Sequence, residues 1–196
     1  MKKFQTELIE LGQANDKVMY SDQNRFDVVR SQFTSRIGYR NYYLWDDNPT
    51  IGDISRASKI RIGIKTLRKG YCCYLFFAEK NDKQSKGITY YMDEYREGDW
   101  NSPGYKNANE VVCPNGAIYY RKNVLQKDKT SWFEFEWSLE KQEMQCWLMK
   151  NEKGEDKVFM HKWPMKGNVP NWLMFTCGWD EQAIVTTYII NGNPSD

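Results

Sequence analysis

The sequence predicts a mainly β protein, a β-sandwich or jelly roll with a short N-terminal helix: residues 1–12 as the helix and 13–196 as a single β domain. Three observations carry this. Short runs alternate apolar and polar residues with period two, as in Ile60, Ile62 and Ile64 against Arg61, Gly63 and Lys65. Polar turn residues separate the runs, and clear helical periodicity is confined to the first residues. Many short strands with few helices point to two packed sheets.

Taken in order, Phe4, Leu8 and Leu11 fall on one helical face and Gly12 is a plausible stop. A helix of about ten residues is marginal alone and must dock, on its own domain or on another copy. Asp16 to Arg36 is ambiguous: Phe26, Val29 and Phe33 suit a helix, while Val28 and Val29 also suit a strand. From Tyr39 the signal is β, with a strand expected over Asn41 to Trp45. Lys59 to Lys65 is a half-buried strand, and Tyr71 to Ala78, apolar on both faces, is a central one. Ile88 to Met92 follows. A long polar excursion then runs to the next strand near Ala117 to Tyr120. A connection of that length is usually functional or disordered. Tyr95, Trp100 and Tyr105 favour a loop that packs on something. Strands are expected again over Trp132 to Trp137, Met144 to Leu148, Val158 to Met165, Trp172 to Cys177 and Ile184 to Ile190. A hairpin loop with Gly154 lies at Asn151 to Asp156.

Composition narrows the function classes. The 196 residues suffice for one core, 15% are aromatic, and 28 basic against 26 acidic side chains leave a formal charge of +2. That balance makes no broad electrostatic case for nucleic acid or an anionic membrane, and it favours self-association. No apolar run approaches a membrane span. Met1-Lys2-Lys3-Phe4 soon meets Glu7 and Glu10, unlike a signal peptide, so synthesis in the cytosol is expected. Cys72, Cys73, Cys113, Cys146 and Cys177 form no C-x-x-C pair and read as small core residues.

Catalytic motifs are scarce. His161 is the single histidine, so no His-based metal cluster is possible. Neither a phosphate loop nor a dinucleotide fingerprint occurs. Glu134 and Glu136, two apart on a strand, share a face and form the one enzyme-like pair. A retaining glycosidase needs two carboxylates about 5 Å apart, and the plain alternative is a solvated strand face. Trp100, Trp132, Trp147, Trp163, Trp172 and Trp179 suit sugar stacking, a core or a subunit interface.

Glu94-Tyr95-Arg96-Glu97-Gly98 followed by Pro114-Asn115-Gly116 resembles the corresponding segment of cypovirus polyhedrins, as does the Lys86-Gly87-Ile88 lead-in. The resemblance covers roughly residues 59–178 and extends to the paired strands Lys59 to Lys65 and Tyr71 to Ala78. It implies a jelly roll with an N-terminal helix and homotrimers packed into crystals in the host-cell cytoplasm. Virus particles would be embedded in these occlusion bodies, which would dissolve in alkali. On that reading the chain is a structural protein and not an enzyme. It would need no cofactor, metal, nucleic acid or membrane. Phe4, Leu8, Leu11, Tyr95, Trp100 and Tyr105 would be assembly residues. The alternative is a cytosolic glycan-binding β-sandwich, with a glycoside hydrolase using Glu134 and Glu136 behind it.

Overall fold

A computed structural model describes residues 4–10, 13–21, 26–34, 50–67, 73–82, 84–95, 98–107, 110–112, 119–120, 124–177 and 182–191. Within these residues the chain is built of strands. In order they are β1 (Phe4–Glu10), β2 (Gln13–Ser21), β3 (Phe26–Thr34), β4 (Thr50–Asp53), β5 (Ala57–Thr66), β6 (Cys73–Ala78), β7 (Gly87–Tyr95) and β8 (Gly98–Asn107). There follow β9 (Glu110–Val112), β10 (Tyr119–Tyr120), β11 (Thr130–Ser138), β12 (Glu143–Met149), β13 (Val158–Pro164), β14 (Trp172–Cys177) and β15 (Gln182–Asn191).

Two antiparallel sheets make the sandwich. One has six strands in the order β13-β12-β11-β5-β15-β3. The other has seven, in the order β10-β8-β7-β6-β14-β4 with β9 also on β8. The core lies between them, where alternate residues of each strand point inward. Ile60, Ile62, Ile64, Phe133, Phe135, Met144 and Val185 face Leu75, Phe77, Ile88, Tyr90, Leu173 and Phe175. Ring contacts lock the two faces together: Phe135 meets Phe77 at 5.1 Å and Tyr90 at 5.0 Å. The expectation for β6 holds. All six residues are buried, and Tyr74, Phe76 and Ala78 join Tyr91 and Met174 in a second cluster on its other side.

Two expectations are corrected. Residues 4–10 form β1, antiparallel to β2, and not a helix. A helix of ten residues gains too little from its own hydrogen bonds, whereas pairing with β2 satisfies the same backbone along its length. Phe4 and Leu8 therefore pair with Ser21 and Lys17 of β2, and Leu11 falls outside the described residues. The long polar excursion is also largely strand. β7 continues to Tyr95, which pairs with Gly98, and β8 runs back beside it as far as Lys106 opposite Gly87. Backbone pairing to β7 overrides the turn-like composition. Pro103, which has no N–H to give, sits between the stretch of β8 that pairs with β10 (Trp100, Asn101) and the stretch that pairs with β9 (Tyr105 to Asn107). Within the ambiguous 16–36 segment, residues 16–21 belong to β2 and 26–34 to β3, while Asn41 to Trp45 lies outside the described residues.

Candidate functional site

The outward face of the six-stranded sheet carries the most developed polar and aromatic arrangement among the described residues. Phe133, Phe135 and Trp137 of β11 fill the core, so Trp132, Glu134 and Glu136 point out. The register with β5 sets Trp132 opposite Gly63, Glu134 opposite Arg61 and Glu136 opposite Lys59. On the other side of β11, Glu134 faces Trp147 and Glu136 faces Gln145. Beyond β5, Tyr188 stands opposite Arg61.

Each pair is chemically matched. Gly63 leaves a floor for the Trp132 ring, since a Cβ there would lie only 2.7 Å from the indole. Trp132 stands beside Tyr188, with centroids 5.8 Å apart. Glu134 is 0% exposed; its Oε2 accepts from Arg61 Nε at 2.6 Å. Its Oε1 accepts from Lys157 Nζ and lies 3.6 Å from Lys59 Nζ. Lys59 also reaches Glu136 at 3.6 Å. Burial alone would raise the Glu134 pKa. The hydrogen bonds from Lys157 and Arg61 and the charges of Lys59 and Lys157 outweigh it and hold the carboxyl below the usual glutamate range.

The β12–β13 hairpin loop folds over this pair. Asn151 shapes it: its Oδ1 accepts from the Lys153 amide at 3.0 Å, and its Nδ2 donates to Glu155 at 2.7 Å. Gly154, at φ 82°, rests against the guanidinium, where a Cβ would come within 2.6 Å of Arg61 Nη2. Arg61 Nη1 donates to the Glu152 carbonyl at 3.1 Å, and Tyr188 Oη donates to the Glu152 carboxylate at 2.8 Å. Lys157, at the loop's end, lies 5.6 Å from the Trp147 ring centre.

The edge strand β13 adds the exposed part of the face. Its register slips by one residue between His161, opposite Cys146, and Phe159, opposite Trp147. Met160 is the extra residue, and it and His161 are both buried. Residues 163, 161 and 159 would otherwise share the inward face. The bulge turns Phe159 outward instead. Phe159 is 50% exposed and meets Trp147 edge-on at 6.0 Å.

The residues singled out by sequence divide accordingly. The expected solvated carboxylate face is corrected at Glu134, which is buried under three cations, whereas Glu136 is partly exposed. Trp132 and Trp147 reach the outward face; Trp163 is in the core, Trp172 packs on the second cluster, and Trp179 lies outside the described residues. Tyr105 is half-buried, with its hydroxyl donating to the Pro164 carbonyl and its ring 4.4 Å from Lys166 Nζ. Tyr95 and Trp100 are placed by their backbone, opposite Gly98 and Asp93. His161 is buried edge-on to Tyr90 at 5.6 Å. Among the described residues no group of three His, Cys, Asp or Glu could hold a metal ion. No helix among them is long and apolar enough to cross a membrane. Arg61, Lys157 and Phe159 were not anticipated. The first was visible as the polar side of an alternating strand; Phe159 was hidden by the bulge.

An antiparallel two-sheet β-sandwich is the class of fold that this architecture defines. The chain is similar to the exoplasmic/lumenal domain of VIP36, in its Ca2+/Man3GlcNAc-bound form, at 8% identity and a TM-score of 0.54, over 75% of this chain and 74% of that one. It is also similar to a legume lectin-like domain from Entamoeba histolytica, at 9% identity and a TM-score of 0.46 over 68% and 72%. A toad ovary galectin complexed with thio-digalactose gives 12% identity and a TM-score of 0.43 over 71% and 96%. No family model and no curated protein matches the sequence.

Proposed function

We propose that this chain is a glycan-binding module that takes sugar on the outward face of its six-stranded sheet, at Phe159 and Trp147. The carrying observation is the half-exposed Phe159 ring, held edge-on to Trp147 on a rigid sheet face. A bulge that turns a large ring into solvent beside a second ring offers a contact surface. Flat rings offer contact area at low cost in conformational entropy, which suits the apolar face of a pyranose. Gln145, two residues before Trp147 on the same strand, and Glu136, opposite Gln145 on β11, supply hydrogen-bonding groups near the Trp147 ring. The likeness of fold to VIP36, solved with a bound mannose-containing glycan, supports the same class of ligand. The test is a panel of oligosaccharides read by calorimetry. Phe159→Ala and Trp147→Ala should each weaken a bound sugar about tenfold or more. A chain that binds no sugar, or binds one equally well as Phe159→Ala, would refute this reading.

A second reading rests on the Glu94–Gly98 and Pro114–Gly116 resemblance to polyhedrins: a structural, non-enzymatic chain that packs as homotrimers into cytoplasmic occlusion bodies around virus particles. Expression in insect cells tests it directly. Intracellular crystals that dissolve only in strong alkali would favour it; a soluble monomer retained on a sugar column would favour the first.

A further inference from the structure

We infer that the sugar taken at Phe159 and Trp147 is acidic, bearing a carboxylate or a sulfate ester. The inference rests on the glycan-binding reading and adds the chemical class of the ligand. Its basis is how charge is layered on this face. Glu134 lies beneath, fully buried, while two of the cations that share it reach solvent: the Lys157 side chain is 35% exposed and that of Lys59 28%. Arg61, the third, is buried under Gly154. The ammonium groups thus stand outermost with their counter-charge below them.

Other carboxylates nearby have partners of their own. Glu136 shares Lys59, Glu143 holds Lys162 at 2.9 Å, and Asp156 pairs with Lys150 at 3.4 Å. Glu155 accepts from Asn151, and Glu152 accepts from Tyr188 on the far side of the hairpin loop. Lys157 is the cation set against the ring pair itself, over Trp147 and two residues before Phe159. A sugar lying on those rings brings an anionic substituent to the exposed side of an ammonium whose other side is held by Glu134. That ammonium is already oriented, so an added anion gains attraction with little further ordering of the side chain.

The experiment compares three probes on the intact chain at low salt: a galacturonate trisaccharide, its carboxyl-reduced neutral counterpart, and a sulfated form of that neutral trisaccharide. Each acidic probe should bind about tenfold more tightly than the neutral one, and the advantage should shrink as sodium chloride is raised. The ratio between the two acidic probes tells carboxylate from sulfate. Lys157→Gln should abolish the preference, and Lys157→Arg should retain it. The arginine variant controls for the contact with Glu134, since it keeps the charge there. Equal affinity for acidic and neutral probes would overturn this inference and leave the glycan reading standing. Absence of binding by all three while the oligosaccharide panel yields a neutral ligand would overturn this inference alone, and absence of binding across the panel as well would overturn both.

Discussion

Removing the Glu134 carboxylate is expected to destabilise the fold far more than removing a charge on a solvated strand would. Glu134 is fully buried and holds Arg61, which is itself only 7% exposed, at 2.6 Å. In Glu134→Ala the guanidinium keeps the Glu152 carbonyl but loses its counter-charge, and Lys157 loses its anion. Stranding a buried charge in this way costs about 3–5 kcal/mol, a large part of the roughly 5–15 kcal/mol that holds a domain together. Arg61→Met combined with Glu134→Leu removes both charges and should recover most of the loss, because a packed apolar pair is often neutral or stabilising. The assay is equilibrium urea unfolding of Glu134→Ala and of the cycle made by Arg61→Met, Glu134→Leu and the double variant. The pH dependence has a defined direction. The native pKa of Glu134 is depressed, so an unfolded chain binds its proton first as the solution is acidified. Its contribution is complete above the ordinary glutamate value near pH 4.3 and is lost as pH falls from there through the native value. A loss below about 1 kcal/mol for Glu134→Ala, the range of exposed pairs, would refute the reasoning. So would a loss that disappears in 1 M salt.

Gly154→Ala and Gly167→Ala separate two costs. Both glycines have positive φ, 82° and 77°, but only Gly154 faces Arg61 while Gly167 has open space. The Gly167 variant should lose about 1–2 kcal/mol from backbone strain alone. The Gly154 variant should lose more and shift the urea midpoint further. Tyr105→Phe removes the hydrogen bond to Pro164 and should cost about 1 kcal/mol at neutral pH. Burial raises the Tyr105 pKa, so the native chain holds that proton longer than the unfolded one. Stability then falls as pH climbs past about 10, and Tyr105→Phe should flatten that fall in a pH series of melts. Cys73 stands directly opposite Cys177 on β14, whereas neighbours in sequence such as Cys72 and Cys73 have Cα atoms only about 3.8 Å apart, less than the roughly 4.4–6.8 Å that a disulfide ordinarily spans. Mild oxidation followed by peptide mapping should yield a Cys73–Cys177 link and no Cys72–Cys73 link.

Where one face of a strand is buried, its place was legible from the sequence. β5, β11 and β12 follow their alternation closely, because period-two patterning is a direct imprint of burial on one side. β6 was legible for the opposite reason, being apolar on both sides. The N-terminal segment misled because Phe4, Leu8 and Leu11 fit a helical stripe, and nothing local reveals that β2 offers a partner. β8 misled because Asn, Pro and Gly mark turns only when no neighbouring strand captures the backbone. At the site, the parity of Glu134 and Glu136 was readable. The burial of Glu134 was not, since Arg61 is 73 residues away and the covering loop arrives from between two further strands. The geometry depends on the sheet order, which no single strand encodes.

The extra residue in β13 divides that strand into two lengths that answer to different constraints. His161 and Trp163 must fit the interior, while Phe159 faces outward because one more residue intervenes. A change in residue number at Met160 would move Phe159 to the other side of the sheet without altering its identity. Insertion or deletion at one position is therefore a route by which related chains could gain or lose the exposed ring, and with it the surface they show to a partner, while the packing downstream stays in register.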